Sequence, residues 1–123
     1  MRALIVDDSR AMRAVIRGTL ASAGYEVVEA RHGRDALEQL EAHGPVDVAL
    51  LDWNMPEMTG LELVQTLRRD PRYLHLPIVM VTTEIELSQM TRALEAGANE
   101  YVMKPFTPEV LLEKLEMLGV GPA

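Results

Sequence analysis

Ala3-Leu4-Ile5-Val6-Asp7-Asp8-Ser9 sets the pattern on which the whole chain is built. Four apolar residues make a run of strand length. Two aspartates then break it, and either Asp8 or Ser9 can cap a following helix. That helix is read from Met12, Val15, Ile16 and Leu20 at helical spacing, with Gly24 closing it. The same alternation continues along the chain. Tyr25 to Ala30 is strand-like, and Asp35 to Ala42 is a helix carrying Ala36, Leu37 and Leu40, ended by Gly44-Pro45. Val46 to Leu51 is an apolar strand stopped by Asp52. A turn-rich loop, Asn54 to Gly60, leads to a helix with Leu61, Val64 and Leu67 that Pro71 ends. Ile78 to Val81 is the next strand, and its helix presents Leu87, Met90 and Leu94 on one face up to Gly97. Glu100 to Met103 is a last strand. Pro108 opens a helix through Leu111, Leu112, Leu115 and Leu118.

Five strands alternating with five helices predict an α/β fold: a doubly wound parallel sheet reached through right-handed crossovers. Central parallel strands are buried on both faces and read as continuous apolar runs, whereas edge strands carry polar residues. Strands 1, 3 and 4 are therefore central. Strands 2 and 5, with Glu26, Glu29 and Glu100, are the edges. The order 2-1-3-4-5, which is the flavodoxin-like order, satisfies this. No repeat, linker or low-complexity stretch divides residues 1–123, so one domain is expected.

Composition excludes whole classes. The chain has 123 residues, 48% of them hydrophobic and 25% charged, the balance of a globular protein rather than a disordered one. No apolar run approaches the roughly 20 residues of a membrane span. The run at residues 3–6 is too short for a signal peptide and ends on two aspartates. Zero cysteines remove disulfides and thiolate chemistry, and fit a cytoplasmic location. A net charge of −7 argues against binding nucleic acid or anionic lipid.

Open parallel sheets bind ligands at the carboxyl ends of their strands, near the point where the strand order reverses. In this order that point lies between strands 1 and 3. Gathered at those ends are Asp7 and Asp8, Asp52, Thr82 and Thr83, and Lys104. Each has a plain structural reading: a cap, a strand terminator, a strand threonine, a surface charge. Their convergence from distant segments does not. Two carboxylates about 5 Å apart repel by roughly 3 kcal/mol at an effective dielectric near 20. One lysine cannot neutralise three carboxylates, so either a pKa rises or a cation binds. Oxygen-rich sites suit magnesium, often beside phosphate. A carboxylate there can act as a nucleophile toward a phosphoryl group, while Lys104 and Thr82 bind its oxygens. Lys104 is also one of only two lysines among 12 basic residues.

With this spacing the chain resembles the receiver domain of two-component response regulators over essentially its whole length. The acidic pair Asp7-Asp8, Asp52 after one apolar strand, Thr82 after another and Lys104-Pro105 after the last carry the likeness. The loop Asp52-Trp53-Asn54-Met55-Pro56 and the stretch Tyr101-Val102-Met103-Lys104-Pro105-Phe106 resemble in particular the chemotaxis receivers that work without an attached output domain. The resemblance implies that a sensor histidine kinase phosphorylates Asp52. It implies magnesium held by Asp8, Asp52 and the backbone carbonyl of Asn54, with Asp7 acting through water. Thr82, Thr83 and Lys104 would contact the phosphoryl group, and Tyr101 would be the switch aromatic. Lys104–Pro105 would be cis, and Asn54 and Glu84 would tune the phosphoryl lifetime. The output would be a protein contact made by a monomer through helix 4, strand 5 and helix 5, to the flagellar switch or another target, rather than conventional enzyme catalysis.

One stretch departs from the chemotaxis pattern, in which that output face carries several lysines. Here it contains Glu84, Glu86, Glu95, Glu100, Glu109, Glu113 and Glu116, with Arg92 and Lys114. Either these form a solvated face or the partner differs from the flagellar switch. A relay intermediate, passing the phosphoryl group to a histidine phosphotransfer protein, is the alternative function. An aspartate-nucleophile phosphatase is disfavoured because such enzymes place a second aspartate where Asn54 stands. A flavin carrier of this topology is disfavoured because Asp7-Asp8 would repel a phosphate after strand 1.

Overall fold

The computed structural model describes residues 1–120; residues 121–123 and the side chains of Glu84 and Ile85 lie outside the described residues, and with them the expected tuning role of Glu84. The elements run β1 (Arg2–Val6), α1 (Arg10–Ser22), β2 (Glu26–Ala30), α2 (Gly33–His43), β3 (Val48–Asp52), α3 (Gly60–Arg69), β4 (Ile78–Thr82), α4 (Met90–Ala96), β5 (Glu100–Met103) and α5 (Pro108–Met117). Short 3-10 turns at Pro71–Tyr73 and Glu84–Gln89 precede β4 and α4. The five strands form one parallel sheet in the order β2-β1-β3-β4-β5, as the edge-and-centre reading of their side chains predicts. Every residue of β3 and β4 is buried, while Glu26 at the β2 edge and Met103 at the β5 edge are exposed.

Alternate residues of each strand face opposite ways, and the helices divide accordingly. Ala3, Ile5, Leu50, Val79 and Val81 pack with Ile16 and Leu20 of α1 and with Leu111 and Leu115 of α5. Leu4, Val6, Leu51, Ile78 and Met80 pack with Leu40 of α2, Leu63, Val64 and Leu67 of α3, and Met90 of α4. All these side chains are essentially removed from water, and each Val, Leu, Ile or Met among them is worth about 1.5–3 kcal/mol of transfer free energy.

Several local expectations are corrected. Val15 and Leu94, placed on core-facing stripes by spacing, are exposed. In α1, Ile16 and Leu20 face the sheet and leave Val15 to the side. In α4, Met90 and Ala93, three residues apart, reach the core and leave Leu94 exposed; the turn before them, Glu84–Gln89, is 3-10 rather than the expected start of an α-helix. Helix α2 begins at Gly33 rather than Asp35, because His32 caps it: its Nδ1 accepts the Asp35 N–H at 3.1 Å. Strand β3 runs from Val48 through Asp52 instead of from Val46 to Leu51. Of the two candidate caps for α1, Ser9 takes the role, its Oγ accepting the Met12 N–H at 3.1 Å.

Candidate functional site

Register decides which side chains meet at the carboxyl edge. Val6 of β1 pairs with Leu51 of β3, so Asp7 and Asp52 emerge side by side as the next residues along. Asp52 in turn pairs with Val81 of β4, and Thr82 with Met103 of β5, one residue before Lys104. The parallel sheet thus lines up the ends of four strands. Since Ser9 caps α1, Asp8 is left exposed and free to face the same place.

The chain is locked around these residues. Asp7 Oδ1 accepts the Ser9 N–H at 2.8 Å, and Arg13 donates to the Asp7 carbonyl at 2.7 Å. The Trp53 N–H donates to Val81 O at 3.1 Å, extending the ladder past Asp52. Helix α3 starts against this strand end. A Cβ on Gly60 would lie 2.6 Å from the Asp52 carbonyl oxygen and 3.0 Å from Trp53 Cα, so only glycine permits that approach. Glu57, in the same loop, has φ of 67°, a left-handed conformation uncommon for a side chain of its size. The Lys104–Pro105 peptide bond is cis.

One oxygen from each of Asp7, Asp8 and Asp52 lies within 4.8 Å of the other two. Asp7 is 1% and Asp52 6% exposed. Lys104 Nζ reaches Asp52 Oδ1 at 3.3 Å and Asp7 Oδ2 at 3.4 Å. Burial, reinforced by the neighbouring Asp7 charge, pushes the Asp52 carboxyl up to about 6, although Lys104 pulls it back. Burial also opposes the ammonium of Lys104, but Asp52 and Asp7 together outweigh it and hold its pKa above the ordinary value. The site therefore carries more negative charge than its single lysine neutralises. An all-oxygen donor set of this kind fits a hard divalent cation such as magnesium.

A cavity of about 370 Å³ opens over these groups, lined by Asp8, Asp52, Asn54, Thr83, Glu86 and Lys104. Of the expected site residues, Asp7, Asp8 and Asp52 cluster, Lys104 reaches Asp7 and Asp52, and Asn54 and Thr83 line the cavity with Asp8, Asp52 and Lys104. Thr82 is fully buried, and its hydroxyl donates to the Thr83 carbonyl at 3.3 Å. Tyr101 stands apart: half-buried, it packs on the α2–α3–α4 side of the sheet, with Lys114 Nζ 5.5 Å from its ring centroid. Sequence reading did not single out Glu86 or Arg13 for this site. For Glu86 a signal existed, since Thr83-x-x-Glu86 is the pattern of a helix-start capping pair.

Comparison with known proteins agrees with this arrangement. Residues 3–116 match the response regulator receiver domain family. The chemotaxis protein CheY1 of Helicobacter pylori is 51% identical over 119 residues, 96% of each chain. A chemotaxis protein CheY homolog of Campylobacter jejuni is 50% identical over 123 residues, 98% of this chain and 95% of the relative. Among solved structures, the chemotaxis protein CheY4 of Vibrio cholerae superimposes with a TM-score of 0.88 at 40% identity, covering 94% of this chain and 96% of that one. The chain belongs to the response regulator receiver domain family and is CheY-like within it.

Proposed function

We propose that this receiver accepts a phosphoryl group on Asp52 from the phosphohistidine of a sensor kinase, and signals through a protein contact that depends on that modification. The observation that carries the reading is the pairing of a buried carboxylate, Asp52, with the Lys104 ammonium at 3.3 Å on the floor of an open, oxygen-lined cavity. In the transfer, an Asp52 carboxylate oxygen bonds to phosphorus as the phosphorus–nitrogen bond to histidine breaks. Lys104, already between Asp7 and Asp52, then pairs with a phosphoryl oxygen as a point charge.

Asp8, Asp52 and the Asn54 backbone carbonyl would hold magnesium, with Asp7 acting through water; when bound, the ion supplies positive charge that offsets the crowded carboxylates and the incoming phosphoryl oxygens. Asp7 is suited to its indirect role. Its Oδ1 is engaged by the Ser9 N–H and its Oδ2 by Lys104.

For output, the phosphoryl group draws the Thr82 hydroxyl toward it. The space vacated next to α4 is taken up by Tyr101, changing the face formed by α4, β5 and α5. Lys114 supports the edge of that face by pairing with Glu100 Oε1 at 3.3 Å. The names of the relatives support chemotaxis as the process we assign, and a flagellar switch component is the target class we propose for it. We read residues 1–123 as one receiver acting as a monomer in the cytoplasm; among the described residues no helix is long and apolar enough to cross a membrane. The test is transfer from a radiolabelled chemotaxis kinase. Label should leave the kinase and appear on the wild-type chain but not on Asp52→Asn. Equal labelling of both chains would refute the assignment.

A further inference from the structure

The cavity above Asp52 holds a carboxylate that the phosphorylation chemistry does not use. Glu86, half-buried in the 3-10 turn before α4, lines the same space as Asp8, Asp52, Asn54, Thr83 and Lys104. Its Oε1 accepts two hydrogen bonds from one residue: the Thr83 N–H at 3.2 Å and the Thr83 hydroxyl at 3.0 Å. Lys104 is engaged by Asp7 and Asp52, and Glu86 has no cationic partner among the described residues.

We propose that Glu86 is a built-in competitor of the phosphoryl group, holding the Thr83 donors and opposing the incoming negative charge, and so setting the rate of phosphorylation at Asp52. The proposal rests on the reading of Asp52 as the phosphoacceptor. A phosphoryl group on Asp52 brings up to two negative charges and three acceptor oxygens. Besides the Thr82 hydroxyl that the output step recruits, the donor-bearing residues lining the cavity are few: Lys104, Asn54 and Thr83, the last with its N–H and hydroxyl. In this state Glu86 accepts from both Thr83 donors. A carboxylate is also a local stand-in for a phosphoryl oxygen, since both are anionic acceptors for the same donors. For the phosphoryl group to be bound fully, the Glu86 side chain must leave and Thr83 must change acceptors. The segment is suited to such an exchange. A six-residue 3-10 run is longer than this poorly bonded helix usually extends, and such stretches often mark hinges. Release of Glu86 would also loosen the start of α4, on the face assigned to output.

The experiment compares wild type, Glu86→Gln and Glu86→Ala for the initial rate of modification by acetyl phosphate in magnesium. In that step an Asp52 oxygen–phosphorus bond forms, the phosphorus–oxygen bond to the acetyl group breaks, and acetate leaves. Glutamine keeps an oxygen that can hold the Thr83 N–H, so it preserves the turn while removing the charge. Glu86→Gln should react roughly three- to tenfold faster, as expected for loss of one nearby like charge. Glu86→Ala should be at least as fast. The ratio of Glu86→Gln to wild type should shrink as salt is raised from about 0.05 to 0.5 M, because ions screen charge repulsion; a purely structural cap would give no such dependence. Rates for both variants within twofold of wild type, or below it, would overturn the proposal while leaving Asp52 as the acceptor. Absence of phosphate on Asp52 in the wild-type chain would overturn both.

Discussion

Replacing Asp52 with asparagine should stabilise the metal-free protein at neutral pH and leave it unchanged in acid. Burial and the Asp7 charge raise the carboxyl of Asp52 from 3.8 to about 6. Between these values the folded chain holds a proton on Asp52 that the unfolded chain has released. The folded state then binds more protons than the unfolded one, so stability falls as pH rises through this window. The full loss is present above about pH 6.5 and absent below about pH 4. Two pKa units correspond to about 3 kcal/mol. The attraction of Lys104 is already included, because it acts on the same carboxyl. Asparagine has nearly the same shape and never ionises, so it escapes the penalty. In urea with a chelator present, the variant should unfold about 1–2 M later than wild type at pH 7.5. At pH 4 the midpoints should converge. A variant equal to or weaker than wild type at pH 7.5 would refute the claim that Asp52 is held ionised against its surroundings.

Further outcomes follow from the same geometry. Magnesium at about tenfold above its dissociation constant should stabilise wild type by roughly 1.4 kcal/mol and raise Tm by several degrees, with Trp53 fluorescence reporting the titration; no change up to tens of millimolar would sink the metal assignment, and Asp52→Asn should lose most of the effect. Gly60→Ala should cost about 1–3 kcal/mol by thermal melting, because its Cβ meets the Asp52 carbonyl oxygen; an unchanged Tm would show that α3 can move away freely. Thr82→Ala should weaken binding of a target peptide to the beryllofluoride-activated protein more than it weakens phosphorylation. In wild type, activation should shift amide resonances from Asp52 through Tyr101 into α4. Shifts confined to the loops around Asp52 would instead favour a relay role.

Much of this architecture is legible in sequence because buried parallel strands cannot hide. Ile78 to Val81 and Ala3 to Val6 have no polar residue to offer water, so the central strands declare themselves. The edges do so by Glu26 and Glu100. Less visible is anything decided by a local competition for backbone hydrogen bonds. His32 starts α2 through a ring nitrogen, an unusual cap, and Ser9 displaces Asp8 as the cap of α1. The 3-10 turn at Glu84–Gln89 replaces the first turns of the expected fourth helix, which no count of apolar spacing foresees. At the site, the carboxylates and Lys104 stand at strand ends, where topology alone brings them together. Glu86 and Arg13 come from a turn and a helix flank, so their approach depends on side-chain reach. Gly60 reads as an ordinary helix start until the approach of α3 to Asp52 is seen.

The most direct measurement is site-resolved mass spectrometry of the chain after reaction with acetyl phosphate, with and without magnesium. The account predicts one phosphoryl group, carried by Asp52, formed only when magnesium is present and absent from Asp52→Asn. Modification of Asp7 or Asp8 in the wild-type chain, or equal modification in a chelator, would contradict it.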